Sequence, residues 1–460
     1  MNNIKINFLG ASGTVTGSKY YLETPEKNIM VDCGMFQGLK LLRETNWNPL
    51  PIDAAKIDFV LLTHGHLDHT GYLPRLLKEG FKGEIIGTAP TLAITRIILK
   101  DSAKIHEEDA ERATKEGFTK HRPALPFYSL EEADAAIALF KSIEKEVWIP
   151  LSENIKFRFR YNGHIIGATF IELELFGKLF VFSGDIGRKE DLLLSPPEHP
   201  KWADYLFLES TYGNKLHPKE DVEGILVDLI NETVHNRGNL VIPSFAVERM
   251  QTLMYVLWQL YKKNRIPKIP MFIDSPMGNN VLSVFENYAD WHKLSLGECR
   301  TMCNHFEIIT SYADTWKTID DKRPKVVIAG SGMVTGGRVL TYLQQFLDRT
   351  ETTVLLVGYQ AEGTRGRQLL EDAHELKIFG KYYPVKAKIA YLGSLSAHAD
   401  QNGLLDWLSE IKNVPEKIFL VHGEPLVLDA FRVKLKDVLG WEVHIPKLYE
   451  TVEIMVSLKS

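Results

Sequence analysis

Residues 57–62 form an apolar run, IDFVLL, that breaks directly into Thr63, His64, Gly65, His66, Leu67, Asp68, His69, Thr70 and Gly71. A run this apolar reads as a strand buried on both faces, and in open α/β sheets such a strand delivers its following loop to a site at the carboxyl edge. In extended backbone, residues two apart point the same way, so His64 and His66 can converge on one ion. After the chain bends, Asp68 and His69 can face a second. A polar surface loop that is histidine-rich by chance is a poor match for three imidazoles and a carboxylate between positions 64 and 69.

The chain around this loop has 460 residues, more than one ordinary core takes, so two or three domains are expected. Its three cysteines, Cys33, Cys299 and Cys303, are too few for a disulfide framework. Cys299 and Cys303 with His305 make only a weak zinc-like spacing and read as core thiols. The first residues lack the basic and long apolar regions of a signal peptide, and no stretch is apolar enough to span a bilayer; a cytoplasmic protein with no membrane contact is expected. A net charge of −5 argues against unspecific coating of nucleic acid and is compatible with a local basic cleft.

Taken in order, residues 4–21 read as two strands around a glycine-rich turn, and 28–32 as a third strand ending at Asp32, a carboxylate placed to hold a ligand histidine or a bound water. Residues 72–78 and 91–115 read as helices, followed by a proline-containing connection at 121–127. Ser129 and Glu132 form a capping box for a helix carrying Ala135, Ile137, Leu139 and Phe140. From Ile155 the apolar period becomes two, and His164 and Asp185 each follow a strand of this kind.

Between about 210 and 384 strands alternate with helices, the pattern of a second, parallel-sheet domain. It holds two glycine-rich turns, GSGMVTGGR ending at Arg338 and GYQAEGTRGR containing Arg365 and Arg367. Glycines followed by arginine can offer backbone donors and a guanidinium to phosphate, or can be tight turns with solvated arginines. The last segment, 385–460, supplies His398 in SAHAD and His422 in VHGE, each just beyond an apolar run.

These motifs, together with VDCGMFQG, NGHIIGA, FSGDIG, ESTYG, PSFAVER and DSPM, resemble the β-CASP branch of the metallo-β-lactamase-fold hydrolases along the whole chain. The resemblance implies an α/β architecture: an αββα metallo-β-lactamase domain built from residues 1–208 and 385–460, with a Rossmann-like parallel-sheet β-CASP domain, 209–384, inserted and the active site in the cleft between them. It also implies two Zn2+ ions per chain, with Mn2+ as a possible substitute. His64, His66 and His164 would hold one ion, Asp68, His69 and His422 the other, and Asp185 would bridge them. Glu209 matches the acidic motif that supports the SAHAD histidine, His398. His422 matches the RNA-cleaving members, where DNA-repair members usually carry valine. Gly65 departs from the alanine of many relatives.

The activity so implied is hydrolysis of RNA phosphodiester bonds, endonucleolytic with a possible 5′-to-3′ exonuclease mode, on single-stranded RNA. Asp68, Asp185, Glu209 and His398 are the expected catalytic residues, with His398 as proton donor to the leaving oxygen. Ser331, Gly332, Arg338, Arg365 and Arg367 are expected to bind RNA phosphates. A DNA nuclease, a small-ester or thioester hydrolase and a non-catalytic RNA-binding scaffold are the alternatives. The arginine turns favour a polymer, and the filled ligand positions disfavour a scaffold. Whether two copies pair as a homodimer is not written in the sequence.

Overall fold

The computed structural model describes residues 2–116 and 123–456, so the start of the expected connection at 121–127 lies outside the described residues. The chain divides into two compact units. The first comprises Met1–Asp191, Ser195–Leu216 and His398–Ser460, the second Leu192–Leu194 and His217–Ala397. The main span of the second unit, His217–Ala397, begins and ends somewhat after the expected 209 and 384.

The first unit contains two sheets. One has seven strands in the order Thr451–Val456, Asn2–Phe8, Tyr20–Glu23, Ile29–Val31, Phe59–Leu61, Glu84–Gly87 and Phe140–Ser142. The other runs Lys417–Val421, Tyr205–Glu209, Lys178–Phe182, Thr169–Leu175, Ile155–Tyr161 and Ile149–Pro150. Alternation along each strand sends neighbouring side chains to opposite faces. Leu61 and Phe180 enter one core shared by the two sheets. Their neighbours Val60 and Val181 enter separate cores on the outer faces.

Those outer faces are covered by helices. Leu73–Lys78 and Leu130–Ile137 lie over the first sheet, supplying Leu73, Leu76, Ala133 and Ala136. Gln401–Leu408 and Pro425–Leu439 lie over the second, supplying Leu404, Trp407, Leu428 and Phe431. The four layers are therefore helix, sheet, sheet, helix. Both chain ends build this unit, because Ile4 pairs with Ile454 across antiparallel strands and Glu209 with Val421 across parallel ones.

The capping box on Ser129 and Glu132 is present. The helix it starts is shorter than the sequence indicates. It ends at Ile137, and Phe140 instead opens a strand paired with Glu84–Gly87. The apolar spacing of Leu139 and Phe140 suits either element, and ladder pairing with Ile85 decides it.

The second unit has a six-stranded, all-parallel sheet in the order Glu307–Ile308, Met271–Asp274, Lys325–Gly330, Asn239–Ser244, Thr352–Val357 and Lys388–Leu392. The helix expected from Val247 starts at Arg249, because Glu248 takes a left-handed φ of 66°. Cys299 is buried and Cys303 half-buried in this unit, and burial pushes their thiols up to about 11 and about 12. Among the described residues neither cysteine belongs to a cluster of metal-ligating side chains. Among the described residues no helix is long and apolar enough to cross a membrane.

Candidate active site

The site lies in the first unit, where several strand ends deliver ligands to one place. Strand Phe59–Leu61 ends three residues before His64. His64 and His66 follow in extended loop, and Leu67–Thr70 then closes into one helical turn that swings Asp68 and His69 round. The backbone of that turn is pinned from outside, by the amides of Ser18 on the Asp68 carbonyl (2.8 Å) and Cys33 on the His69 carbonyl (2.7 Å). Position 34 has to be glycine, since a Cβ there would stand 1.6 Å from the Asp68 carbonyl oxygen. At Gly65 a Cβ would meet Ile94 at 2.6 Å, so a larger residue needs that side chain to move.

Among the described residues the loop takes part in two sets of donor atoms, and Asp185, Glu209 and His398 form a third beside them. In the first, His64 Nε2 is 3.1 Å from His66 Nδ1, which is 3.2 Å from His164 Nε2. Asp185 Oδ2 stands 3.5 Å from both His64 Nε2 and His164 Nε2. In the second, His69 Nε2 and His422 Nε2 are 3.4 Å apart, and Asp68 Oδ2 is 3.4 Å from His422 Nε2. Asp185 Oδ1 lies 3.3 Å from His69 Nε2, so the two oxygens of this carboxylate face the two sets. Tetrahedral zinc with ligands at 2.0–2.1 Å has neighbouring donors about 3.3 Å apart; the edges above lie near that spacing, and the edge from His69 Nε2 to Asp68 Oδ2 is wider at 4.0 Å. Nitrogen and carboxylate donors are also what zinc takes.

The orientation of the donors comes from a ring of polar neighbours. Asp32, at φ 56°, accepts from the amide and hydroxyl of Thr63, both at 2.8 Å, and stands 2.7 Å from His69 Nδ1. With Nδ1 committed to a carboxylate, His69 turns Nε2 to the centre. His422, itself at φ 51°, has Nδ1 3.0 Å from the Thr211 hydroxyl. Asn162 donates to the backbone carbonyls of Ser183 and Asp185 and so shapes the loop that carries Asp185. Thr63, Asn162 and Thr211 have no expected role in the sequence reading. Their only signal is adjacency to ligands, in THGH, NGH and ESTYG.

Burial pushes His66 down to about 4. Burial and the neighbouring His69 hold His64 well below the ordinary imidazole range. These rings are neutral lone-pair donors. Burial opposes ionisation of Asp185, but the surrounding histidines, His422 and His69 foremost, outweigh it and hold the carboxyl well below its usual range. Burial likewise opposes ionisation of Asp68, and its hydrogen bond with His422 overcomes it.

Beside both sets sits His398. Its Nδ1 is 3.2 Å from Glu209 Oε1 and its Nε2 is 3.9 Å from Asp185 Oδ2. Glu209 is fully buried and also accepts from the amides of Ile186 (2.8 Å) and Thr211 (3.0 Å), so its carboxylate is fixed before it meets the ring. Burial works against a charged His398, yet Glu209 and Asp185 raise its affinity for a proton above the ordinary value.

The five residues expected to bind phosphate belong to the second unit, where the arginines have protein partners. Arg338 donates to the Thr315 hydroxyl (2.9 Å) and lies 3.9 Å from Asp274. Arg365 donates to the carbonyls of Lys377 (2.6 Å), Val334 and Thr335. Arg367 pairs with Glu371 at 2.6 Å. Ser331 is half-buried, with its hydroxyl 3.0 Å from that of Thr335, and Gly332 packs against the Phe245 ring, where a Cβ would come within 2.5 Å.

Residues 13–210 match the metallo-β-lactamase superfamily, 250–369 the β-CASP domain, and 382–446 the RNA specificity domain of zinc-dependent metallo-hydrolases. A protein named as a ribonuclease from Thermus thermophilus is 32% identical over 97% of this chain and 99% of its own length. An RNase J-like protein from Methanocaldococcus jannaschii is 30% identical over 96% of this chain and 98% of its own length. Cleavage and polyadenylation specificity factor 73 from Drosophila melanogaster is 29% identical over 94% of this chain and 62% of its own length. A solved structure of a protein of unknown function from Enterococcus faecalis V583 matches with TM-score 0.53 at 12% identity, covering 98% of this chain and 100% of that one, a likeness of fold alone. The chain belongs to the metallo-β-lactamase/β-CASP family of zinc-dependent RNA nucleases.

Proposed function

We propose that the two donor sets hold one zinc ion each, bridged by Asp185, and that the centre hydrolyses phosphodiester bonds of single-stranded RNA with His398 as general acid. Zinc, when bound, activates water near neutral pH and offsets charge that develops on the phosphate. Manganese suits the same nitrogen and carboxylate donors.

His398 does the proton work. Glu209, held by two amides, fixes the ring through Nδ1 and raises its affinity for a proton, which suits Nε2 to donate one. That nitrogen is on the side of Asp185, where the reacting phosphate would bind, and can hand its proton to the departing ribose oxygen. The single observation that carries the reading is this placement of a carboxylate-backed imidazole against Asp185.

The test is turnover of end-labelled single-stranded RNA bearing 5′-hydroxyl, monophosphate or triphosphate ends, beside DNA of the same sequence, with products sized. RNA cut much faster than DNA is the expected result, with rates falling as salt weakens phosphate contacts. Equal rates on the two polymers, or comparable hydrolysis of a glutathione thioester, contradict the assignment. Product sizes distinguish internal cleavage from stepwise removal at the 5′ end.

A further inference from the structure

In the second unit every strand of the six-stranded sheet runs the same way, so the loops after them share its carboxyl edge. The turn at 331–338 follows Lys325–Gly330 at that edge, and Tyr312 opens the helix Tyr312–Asp320 just beyond Glu307–Ile308 at the same edge. Ligands of open α/β sheets bind there.

Tyr312 is held on two sides. Its hydroxyl is 2.8 Å from that of Thr341, and the Arg338 guanidinium lies 4.6 Å from its ring centre. Arg338 in turn is fixed by Thr315, whose hydroxyl donates to the buried Asp274 at 2.6 Å, and the Tyr342 hydroxyl donates to the same oxygen at 2.8 Å. Tyr312 nevertheless remains 49% exposed. One helical turn on, Trp316 is 39% exposed, its ring edge-on to Tyr312 at 6.4 Å. An exposed aromatic ring usually keeps its rotamer freedom. Here the ring is locked before anything covers it, which removes much of the ordering cost of stacking a flat partner on it. The guanidinium over the ring, itself 3.9 Å from the Asp274 carboxylate, joins a cation to an aromatic surface, the combination that suits a polyanion with flat bases.

We infer that Tyr312 and Trp316 form a stacking platform for unpaired RNA bases, with Arg338 as the residue that positions Tyr312. Arg338 thus serves RNA through the tyrosine ring, whereas its position after a glycine-rich turn suggests a direct phosphate ligand. The platform rests on the RNA reading above and extends it to the second unit.

The test compares Tyr312→Leu and Trp316→Leu with their conservative partners Tyr312→Phe and Trp316→Phe, in zinc-loaded full-length protein. Two substrates are used: single-stranded oligoadenylate and bis(4-nitrophenyl) phosphate, which has no base to stack. Each leucine variant is expected to raise KM for the RNA by about 5- to 150-fold, the range for one lost stacked base, with kcat within about twofold. The phenylalanine variants should stay near the parent, and all four should hydrolyse the small diester at the parental rate. A parent that does not turn over RNA overturns the RNA reading and the platform with it. A parent that does, with both leucine variants at parental KM, overturns the platform alone, as does an equal rise in KM for the small diester.

Discussion

Oε1 of Glu209 stands 3.2 Å from Nδ1 of His398, on a carboxylate already bound by two backbone amides. A carboxylate so placed orients an imidazole and stabilises its charge, and neither task requires His398 to hold metal. His398→Ala should therefore keep the metal content of the parent while turnover falls by roughly 10²- to 10⁴-fold. The loss should be smaller on a nitrophenyl diester, whose leaving group needs no proton. Elemental analysis with single-turnover kinetics checks this, and a metal-depleted His398→Ala protein contradicts the assignment.

His422 has the opposite expectation. Its Nε2 belongs to the donor set with His69 and Asp68, so His422→Ala should lose metal from that set and lose activity through that loss. Zinc content at the parental level, together with lost turnover, would move His422 out of the ligand set.

Thr211 carries a milder version of the same test. Its hydroxyl, 3.0 Å from His422 Nδ1, fixes which way that ring turns. Thr211→Val keeps the shape and removes the contact, and the affinity of the second metal should weaken about 10- to 100-fold. Competition against a chromophoric chelator measures it. Unchanged affinity for both metals would show that the hydroxyl does not orient His422.

Lys19 gives a pH prediction away from the ligands. It is 1% exposed, donates to the carbonyls of Gly17 (3.1 Å) and Gly34 (2.6 Å), and faces the rings of Phe36 and Tyr72. Burial lowers it to about 8, with Cys33 and Glu79 opposing. The unfolded chain therefore binds the proton more tightly between pH 8 and the ordinary lysine value of 10.5. The cost of burying this charge is fully present below pH 8, is relieved as pH rises through that window, and amounts to about 3 kcal/mol. Relative to Lys19→Met, the parent should gain stability as pH rises from 8 to 10. Urea unfolding of both proteins reads the difference, and a difference that stays flat with pH contradicts a buried, depressed Lys19.

The ligand loop is legible in the sequence because its signal is local: an apolar strand running straight into HGHLDH. Period-two alternation from Ile155 is likewise local, and the structure reproduces it as alternate burial along Ile155–Tyr161. The grip on the ligands is not legible. Thr211 meets His422 across 211 positions of chain, and a threonine near a motif carries no mark of such a contact. The contacts that hold the arginines are equally hidden: Arg338 and Arg365 sit after glycines as phosphate ligands do, and their protein partners, Thr315, Lys377 and the carbonyls of Val334 and Thr335, are brought to them by the fold. Leu139 and Phe140 fit a helix by spacing, and only pairing across to Glu84–Gly87 assigns Phe140 to a strand.

The most direct test of the account is stepwise zinc titration of chelated protein, with RNA cleavage followed at each step. A centre with two donor sets sharing Asp185 predicts little cleavage at one zinc per chain and a rise to full activity as the second equivalent binds. Asp185→Ala should cleave poorly at any zinc concentration. Full RNA cleavage at one equivalent, or an Asp185→Ala protein as active as the parent, would contradict the shared two-metal centre.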